Sequence, residues 1–438
     1  MPPDSALQRR TLGVLVIMQV IGTVGVGVAP SIGVLLAEQV TDNEAWAGLA
    51  RTASTLGAAL LGLPLGRLAA SRGRRVALST GWFAAAAGAA LLIFAAQESE
   101  VVTLFIGLLL IGAGSAVSLQ SRFAATDLSD PRHRGRHLAL VVWVGTLGSV
   151  IGPNLGVPGE VLHAATGLSV FAGAFLVAAV CLALAGVVAF LFLRPDPLLT
   201  ARSAVAITMP DAPGAASVVT PPTPSGTVGA SRRPTGVRRK GALRHMLSEV
   251  QVNADARLAL TAVLTAQVVM VAVMTMTPVH MEHQGGTVTF VGLTISLHVA
   301  GMYGLSPVSG WAADRWGPRT GMWIGICIFV ASLLAGAFFS HSTGWIIVCL
   351  ILLGLGWSFT NVAGSALFTS AVSEKTRAAS QGGLDSLANL CAAVAAFWAG
   401  PLLAVTSFST LAWVAVAVLV PLVLALALHG KSPGNAHA

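Results

Sequence analysis

Charge is what this chain of 438 residues has least of: Asp, Glu, Lys and Arg make up 10% of it, against 55% hydrophobic residues. No ordinary soluble domain is built this way. Cysteine is also sparse, with four residues scattered through apolar segments at no close spacing. That excludes a disulfide framework and a zinc motif. No nucleophile–base arrangement and no phosphate-cradling loop appears, since the glycine-rich strings fall inside apolar segments, so an enzyme is not expected. No carboxylate stands clearly at the middle of an apolar segment, which weakens proton exchange, though His298 could itself titrate there. The first apolar segment lacks a small-residue cleavage site and is too long for a signal peptide, so it reads as a membrane span.

What remains is apolar sequence in long repeats. The mean hydropathy is +0.80, and stretches of about 20 apolar residues recur along the chain, the length needed to cross a bilayer core. Twelve spans are read, at 11–37, 46–70, 76–96, 101–122, 138–160, 168–193, 258–279, 289–312, 320–339, 345–368, 378–404 and 410–428. The fold class is therefore an all-α membrane protein of twelve transmembrane helices in two six-helix halves. Residues 1–193 and 258–438 form the halves, and 194–257 a flexible cytoplasmic linker, because Pro210–Pro234 is rich in Pro, Ala, Ser, Thr and Gly without apolar periodicity.

The net charge of +8 belongs to topology and implies no nucleic-acid partner. Arg9, Arg10, Arg72, Arg74, Arg75, Arg132, Arg134, Arg136, Arg315, Arg319, Lys375, Arg377 and Lys431 fall in alternate loops, as do the basic residues from Arg232 to Lys240. The opposite loops hold Glu38, Asp42, Glu44, Glu98, Glu100, Glu160 and Glu282. By the positive-inside rule both termini are cytoplasmic, which an even span count also requires.

Four side chains on spans 7 and 8 are the sharpest candidates for a site. Met270 and Met274 are four residues apart, as are His298 and Met302, so each pair shares a helix face. Thioether and imidazole are ligands that suit Cu(I). Counted from a turn near Gln284–Gly286, both pairs lie roughly 20 Å down a helical hairpin at ~1.5 Å per residue, past the middle of the hydrocarbon core. Methionine by itself is ordinary gap filler in apolar helices. A histidine inside a span is costly and by default functional. At the outer mouth, His280, Met281 and His283 offer soft ligands for metal entry, or else form a plain polar turn. Arg51, Arg122, Asp127, Asp314 and Asp385 are candidates for gating or coupling. Gln120 and Arg122 with Asp127 would form an inner gate, and Asp385 shares a face with Asn389. The cysteines are assigned no role.

The halves echo each other. Gly66-Arg67-Leu68-Ala69-Ala70-Ser71-Arg72-Gly73-Arg74-Arg75 follows span 2, and Gly310-Trp311-Ala312-Ala313-Asp314-Arg315-Trp316-Gly317-Pro318-Arg319 follows span 8. Both resemble the signature loop of the major facilitator superfamily. The first copy has Ala70 where the family has Asp, which moves any charge relay to Arg72 or Arg74 with Asp127 or Asp130. Gly145–Gly156 in span 5 is similar to a motif of drug–proton antiporters, although its small residues and Pro153 by themselves mean close packing and a kink. The two pairs on spans 7 and 8 resemble those of CcoA-like bacterial copper importers. That resemblance implies copper uptake across the bacterial inner membrane, with Met270, Met274, His298 and Met302 as the binding positions. Copper is then cargo rather than cofactor, no cofactor is expected, and a monomer in the lipid bilayer suffices. Relatives of that group are similar to riboflavin importers. A proton-coupled drug or metabolite exporter and a riboflavin-type nutrient importer therefore stand as alternatives, and a non-transporting sensor is disfavoured by the two complete halves.

Overall fold

The structure, a computed structural model, describes residues 5–130, 133–208, 239–373 and 377–429. Among these, twelve helices are long and apolar enough to cross a membrane. Spans 1 to 6 are Ala6–Thr41, Ala45–Arg72, Arg74–Glu98, Val101–Ala124, Arg136–Thr166 and Val170–Ser203. Spans 7 to 12 are Ala254–His283, Val288–Trp316, Pro318–Phe338, Thr343–Ala371, Ser380–Val405 and Phe408–Leu428. Most helices run several residues past the apolar stretches, since backbone groups near the bilayer surface are best satisfied by continuing the helix.

Spans 1–6 pack chiefly on one another, as do spans 7–12, and the two sets meet mainly through spans 2 with 11 and 5 with 8, with smaller contacts of spans 7 and 8 to span 1 and of span 7 to span 2. Between apolar helices in lipid, close packing rather than the hydrophobic effect supplies the attraction, and small residues permit it. In span 5 a Cβ on Gly152 would lie 2.5 Å from the Gly27 Cα, and one on Gly148 would lie 2.5 Å from the Val20 carbonyl oxygen. Gly145, Gly148 and Gly152 are therefore a packing face against span 1, while Gly156 meets Val288 of span 8. Pro30 sits in a π-helical turn, Ala29–Gly33, and Pro153 in a 3-10 turn, Gly152–Leu155. Both spans thus bend at the same level.

The duplicated loop is visible in the backbone. Gly73 has φ 91° and Gly317 φ 86°, a conformation that a side chain strains, and each glycine joins a span ending in arginine or tryptophan to the next. The first loop finds a carboxylate from an unforeseen place. Asp196, just past the apolar part of span 6, accepts the Arg75 backbone N–H at 2.7 Å and caps the helix Pro197–Thr208 through the N–H groups of Leu198 and Leu199 at 3.0 and 3.1 Å. Arg74 donates from Nε to Asp127 Oδ2 at 2.8 Å, so one of the pairs named for a charge relay is in contact. In the second copy Asp314 is exposed and Arg319 pairs with Asp255 at 2.8 Å.

The linker expected to be flexible over 194–257 is helical at both described ends, Pro197–Thr208 and Arg239–Val252. The second of these packs on spans 7 and 11. The Pro210–Pro234 stretch lies outside the described residues, as do Arg132, Arg232, Arg233, Arg238, Lys375 and Lys431.

Candidate functional site

A cavity of about 350 Å³ lies where the halves meet. Its first wall is hydroxyl-rich, with Thr23 from span 1, Ser54 and Thr55 from span 2, Ser115 and Ser118 from span 4 and Ser149 from span 5. Several of these hydroxyls donate to carbonyls of their own helix, Thr23 to Gln19 at 2.7 Å and Ser54 to Arg51 at 2.9 Å. Their oxygen lone pairs remain for a guest. Arg51 is the single charged side chain among the lining residues.

The opposite wall is soft and aromatic. Gln267, Met270 and Met274 follow one another at i, i+3 and i+7 on span 7, so a single helix stripe faces the cavity. Span 8 presents Ile295, Val299, Met302 and Tyr303. Trp357 of span 10 donates its indole N–H to Gln267 Oε1 at 3.0 Å and meets the Tyr303 ring edge-on at 5.7 Å. Asn389 of span 11 completes the lining; its amide donates to the Asp385 carbonyl at 2.8 Å.

Three of the four predicted ligands, Met270, Met274 and Met302, thus reach one cavity, but not across a helical hairpin. Spans 7 and 8 touch each other little and both pack on span 10. The reason is that glycines let span 10 in: a Cβ on Gly301 would lie 2.9 Å from the Ile351 oxygen, and one on Gly354 would lie 3.0 Å from the Met302 nitrogen. His298 is fully buried and is not among the cavity-lining residues. At ~100° per residue it falls at the edge of the span 8 stripe, one turn from Met302 and on the side of span 10. Its Nδ1 lies 2.7 Å from the Leu350 carbonyl oxygen, while its Nε2 is buried with no partner among the described residues. A carbonyl only accepts, so Nδ1 carries the hydrogen, and in the neutral ring Nε2 holds the lone pair. Metal-binding histidines are oriented in this way, by a backbone carbonyl on the other nitrogen.

The outer-mouth candidates separate. His280 lies 2.8 Å from the Ser340 carbonyl through Nε2 and stacks on Phe408 at 4.4 Å. Met281 is buried at 2% exposure. His283 alone turns across the interface, with Nε2 2.5 Å from Glu38 Oε1 and Nδ1 3.4 Å from Glu44 Oε1. The three residues therefore do not form one entry cluster, because His280 is held by Ser340 and Phe408, Met281 is packed inside, and His283 meets the carboxylates of the other half. Further contacts join the halves at this acidic end: Thr289 donates to Glu160 at 3.0 Å, Asn154 to Ser296 at 2.6 Å, and Thr52 to the Ala393 carbonyl at 3.1 Å.

At the basic end, Arg122 faces Asp385 at 3.9 Å. The predicted inner gate of Gln120, Arg122 and Asp127 is therefore split three ways. Gln120 donates to the Gly62 carbonyl at 3.2 Å, Arg122 reaches the other half, and Asp127 holds Arg74. Sequence reasoning missed Gln267, Tyr303 and Trp357 as cavity residues, and Glu38 and Glu44 as partners of His283. The first was findable, since Gln267 continues the Met270–Met274 stripe by one turn. The others depend on contacts between distant spans.

A family model described as Major Facilitator Superfamily matches residues 12–287 and 258–437. The uncharacterised MFS-type transporter YdeG of Bacillus subtilis is 36% identical over 411 residues, 93% of this chain and 89% of that protein. The riboflavin transporter RfnT of Brucella anthropi is 26% identical over 438 residues, 98% of this chain and 99% of that protein. Among solved structures, a bacterial homologue of the human lysosomal transporter Spinster, inward-facing and unoccupied, superposes with a TM-score of 0.69 at 15% identity, covering 97% of each chain. That likeness is one of fold.

Proposed function

The chain belongs to the Major Facilitator Superfamily and is a multi-pass membrane transporter; from that premise we propose that its cargo is copper, taken up as Cu(I) through the central cavity. The observation that carries the reading is His298, whose Nδ1 is held by the Leu350 carbonyl and whose buried Nε2 has no partner among the described residues. An unpaired buried polar atom is unfavourable by about 1–3 kcal/mol, and a soft metal would relieve it. Met270, Met274 and Met302 line the cavity beside it, and thioethers select Cu(I) over harder ions.

Orientation is read from charge. With the basic loops placed in the cytoplasm, the acidic end bearing Glu38, Glu44 and His283 faces outward, and the contacts there close the outer path. Rocking of one half against the other would present the cavity to each side in turn. The protein is read as a monomer of the bacterial inner membrane with both termini cytoplasmic. The two six-helix halves are taken as 1–193 and 258–438, with 194–257 as the tether. Asp314 and Asp385, exposed at the basic end, are kept as coupling candidates.

A second reading has its own support. Arg51 with Gln267, Trp357 and Asn389 makes a polar, aromatic cavity suited to an organic molecule, and RfnT, a riboflavin transporter, is similar along its whole length. The test is cellular copper accumulation in an import-deficient host carrying wild type or His298→Ala, with membrane levels of both checked. Copper uptake that collapses in the variant supports the copper reading. A well-inserted wild type that accumulates riboflavin and no copper overturns it in favour of the second.

A further inference from the structure

Spans 2 and 11 touch at the acidic end and part toward the basic end. At the touching end a Cβ on Gly400 would lie 2.5 Å from the Ala45 carbonyl oxygen, and Thr52 donates across the seam to Ala393. Below this a groove of about 420 Å³ opens between the two helices, walled by Leu56, Leu60, Leu387, Leu390 and Ala393. Leu56, Leu60 and Leu390 are 41%, 58% and 56% exposed, so the groove is open rather than enclosed, with an apolar wall suited to lipid. Its polar members are turned inward on themselves, Ser386 donating to the Gly382 carbonyl and Asn389 to the Asp385 carbonyl, each on its own helix.

Arg122 stands near the foot of this groove. The close approach of Gly62 to Ala116 sets the register of span 4 against span 2, which puts the stretch Thr55–Leu60 roughly 12 to 20 Å deeper in the bilayer than the Arg122 backbone, at ~1.5 Å per residue. That is the offset between a headgroup and the middle to lower part of its acyl chain. The Arg122 side chain is 30% exposed. Its polar partner among the described residues is Asp385 at 3.9 Å, whose side chain is 63% exposed. Phe123 covers one face at 5.1 Å, and Nε has no partner among the described residues. Among those residues most of its five donors are unspent.

We propose that the groove between spans 2 and 11 is a lipid site. It holds one acyl chain of an anionic phospholipid whose phosphate is bound by Arg122. Charge complementarity chooses the headgroup, and the apolar walls choose the chain. Because the groove lies between the halves and shares Thr55 and Asn389 with the central cavity, an inserted chain keeps spans 2 and 11 apart at the basic end. The lipid thereby favours the arrangement in which the acidic end is closed.

The test is native mass spectrometry of the full chain in an uncharged detergent, supplied with phosphatidylglycerol, phosphatidylcholine or soluble glycerol phosphate. Wild type should retain phosphatidylglycerol about fivefold over phosphatidylcholine, the preference one arginine supplies at an anionic surface. Arg122→Gln should erase that preference while still retaining lipid. Leu60→Trp, at an exposed position where folding is tolerant, should fill the groove and lose both lipids. Equal retention of the two lipids by wild type overturns the headgroup assignment. Undiminished retention by Leu60→Trp overturns the groove, and complete displacement by glycerol phosphate overturns the acyl chain. Melting temperature with each lipid gives an independent readout that should rank the same way.

Discussion

Gly48→Ala is the substitution with the most to say about how this transporter moves. Gly48 lies where spans 2 and 11 cross at the acidic end. A Cβ there would overlap the Ala396 carbonyl oxygen and sit 3.1 Å from the Gly400 nitrogen. Both are backbone atoms, so no side chain can swing aside, and the two helices must separate. Overpacking of this kind costs about 1–3 kcal/mol. The cost falls on the state in which this end is closed, since the contact vanishes once the halves part. A differential of that size shifts the closed-to-open ratio by about 5- to 150-fold. By comparison, the His283 contacts to Glu38 and Glu44 involve a ring whose side chain is 46% exposed, and exposed pairs contribute about 0–1 kcal/mol. The wedge should therefore outweigh removal of His283. The assay places a cysteine at Ser115, on the cavity wall, and measures its labelling by a membrane-impermeant maleimide applied from the acidic-end side. The same background without the added cysteine is the blank. Gly66→Ala on the same span, where a Cβ meets nothing within 4 Å, controls for helix propensity, which is equal in both states. Labelling should rise in Gly48→Ala and stay level in Gly66→Ala. An unchanged rate in well-inserted Gly48→Ala, or an equal rise in the control, would refute the reasoning.

Other substitutions separate packing from chemistry. Met270→Leu conserves volume, so it should cost less than about 1.5 kcal/mol and leave the melting temperature nearly unchanged while abolishing copper uptake; retained uptake would remove Met270 from the site. Asp196→Ala deletes the acceptor of the Arg75 backbone N–H and the cap of Pro197–Thr208, and should lower stability by about 0.5–2 kcal/mol, read as a drop in melting temperature. Arg74 and Asp127 are 15% and 12% exposed, and removing one partner of so enclosed a pair strands the other charge. Asp127→Ala should therefore destabilise by about 3 kcal/mol or more, which proteolysis of the purified protein would register, and an unaltered digestion pattern would contradict it.

The sequence carried whatever depends on a local period. Twelve apolar runs specified twelve helices, since a backbone in lipid has few other ways to satisfy its N–H and C=O groups. The duplicated glycine loops were legible because φ near 90° at Gly73 and Gly317 excludes most other residues. The stripe of Met270 and Met274 was legible from its spacing of four. Tertiary structure decided which way each polar side chain turns and whom it meets. His298 looks toward Leu350, His283 meets Glu38 and Glu44, and Asp196 reaches back 121 residues to Arg75. Those partners follow from the tilt and rotation of whole helices, set by glycines that let one backbone approach another. A spacing along the chain records which face a residue shares, but the neighbour opposite that face is chosen by packing between spans far apart in sequence.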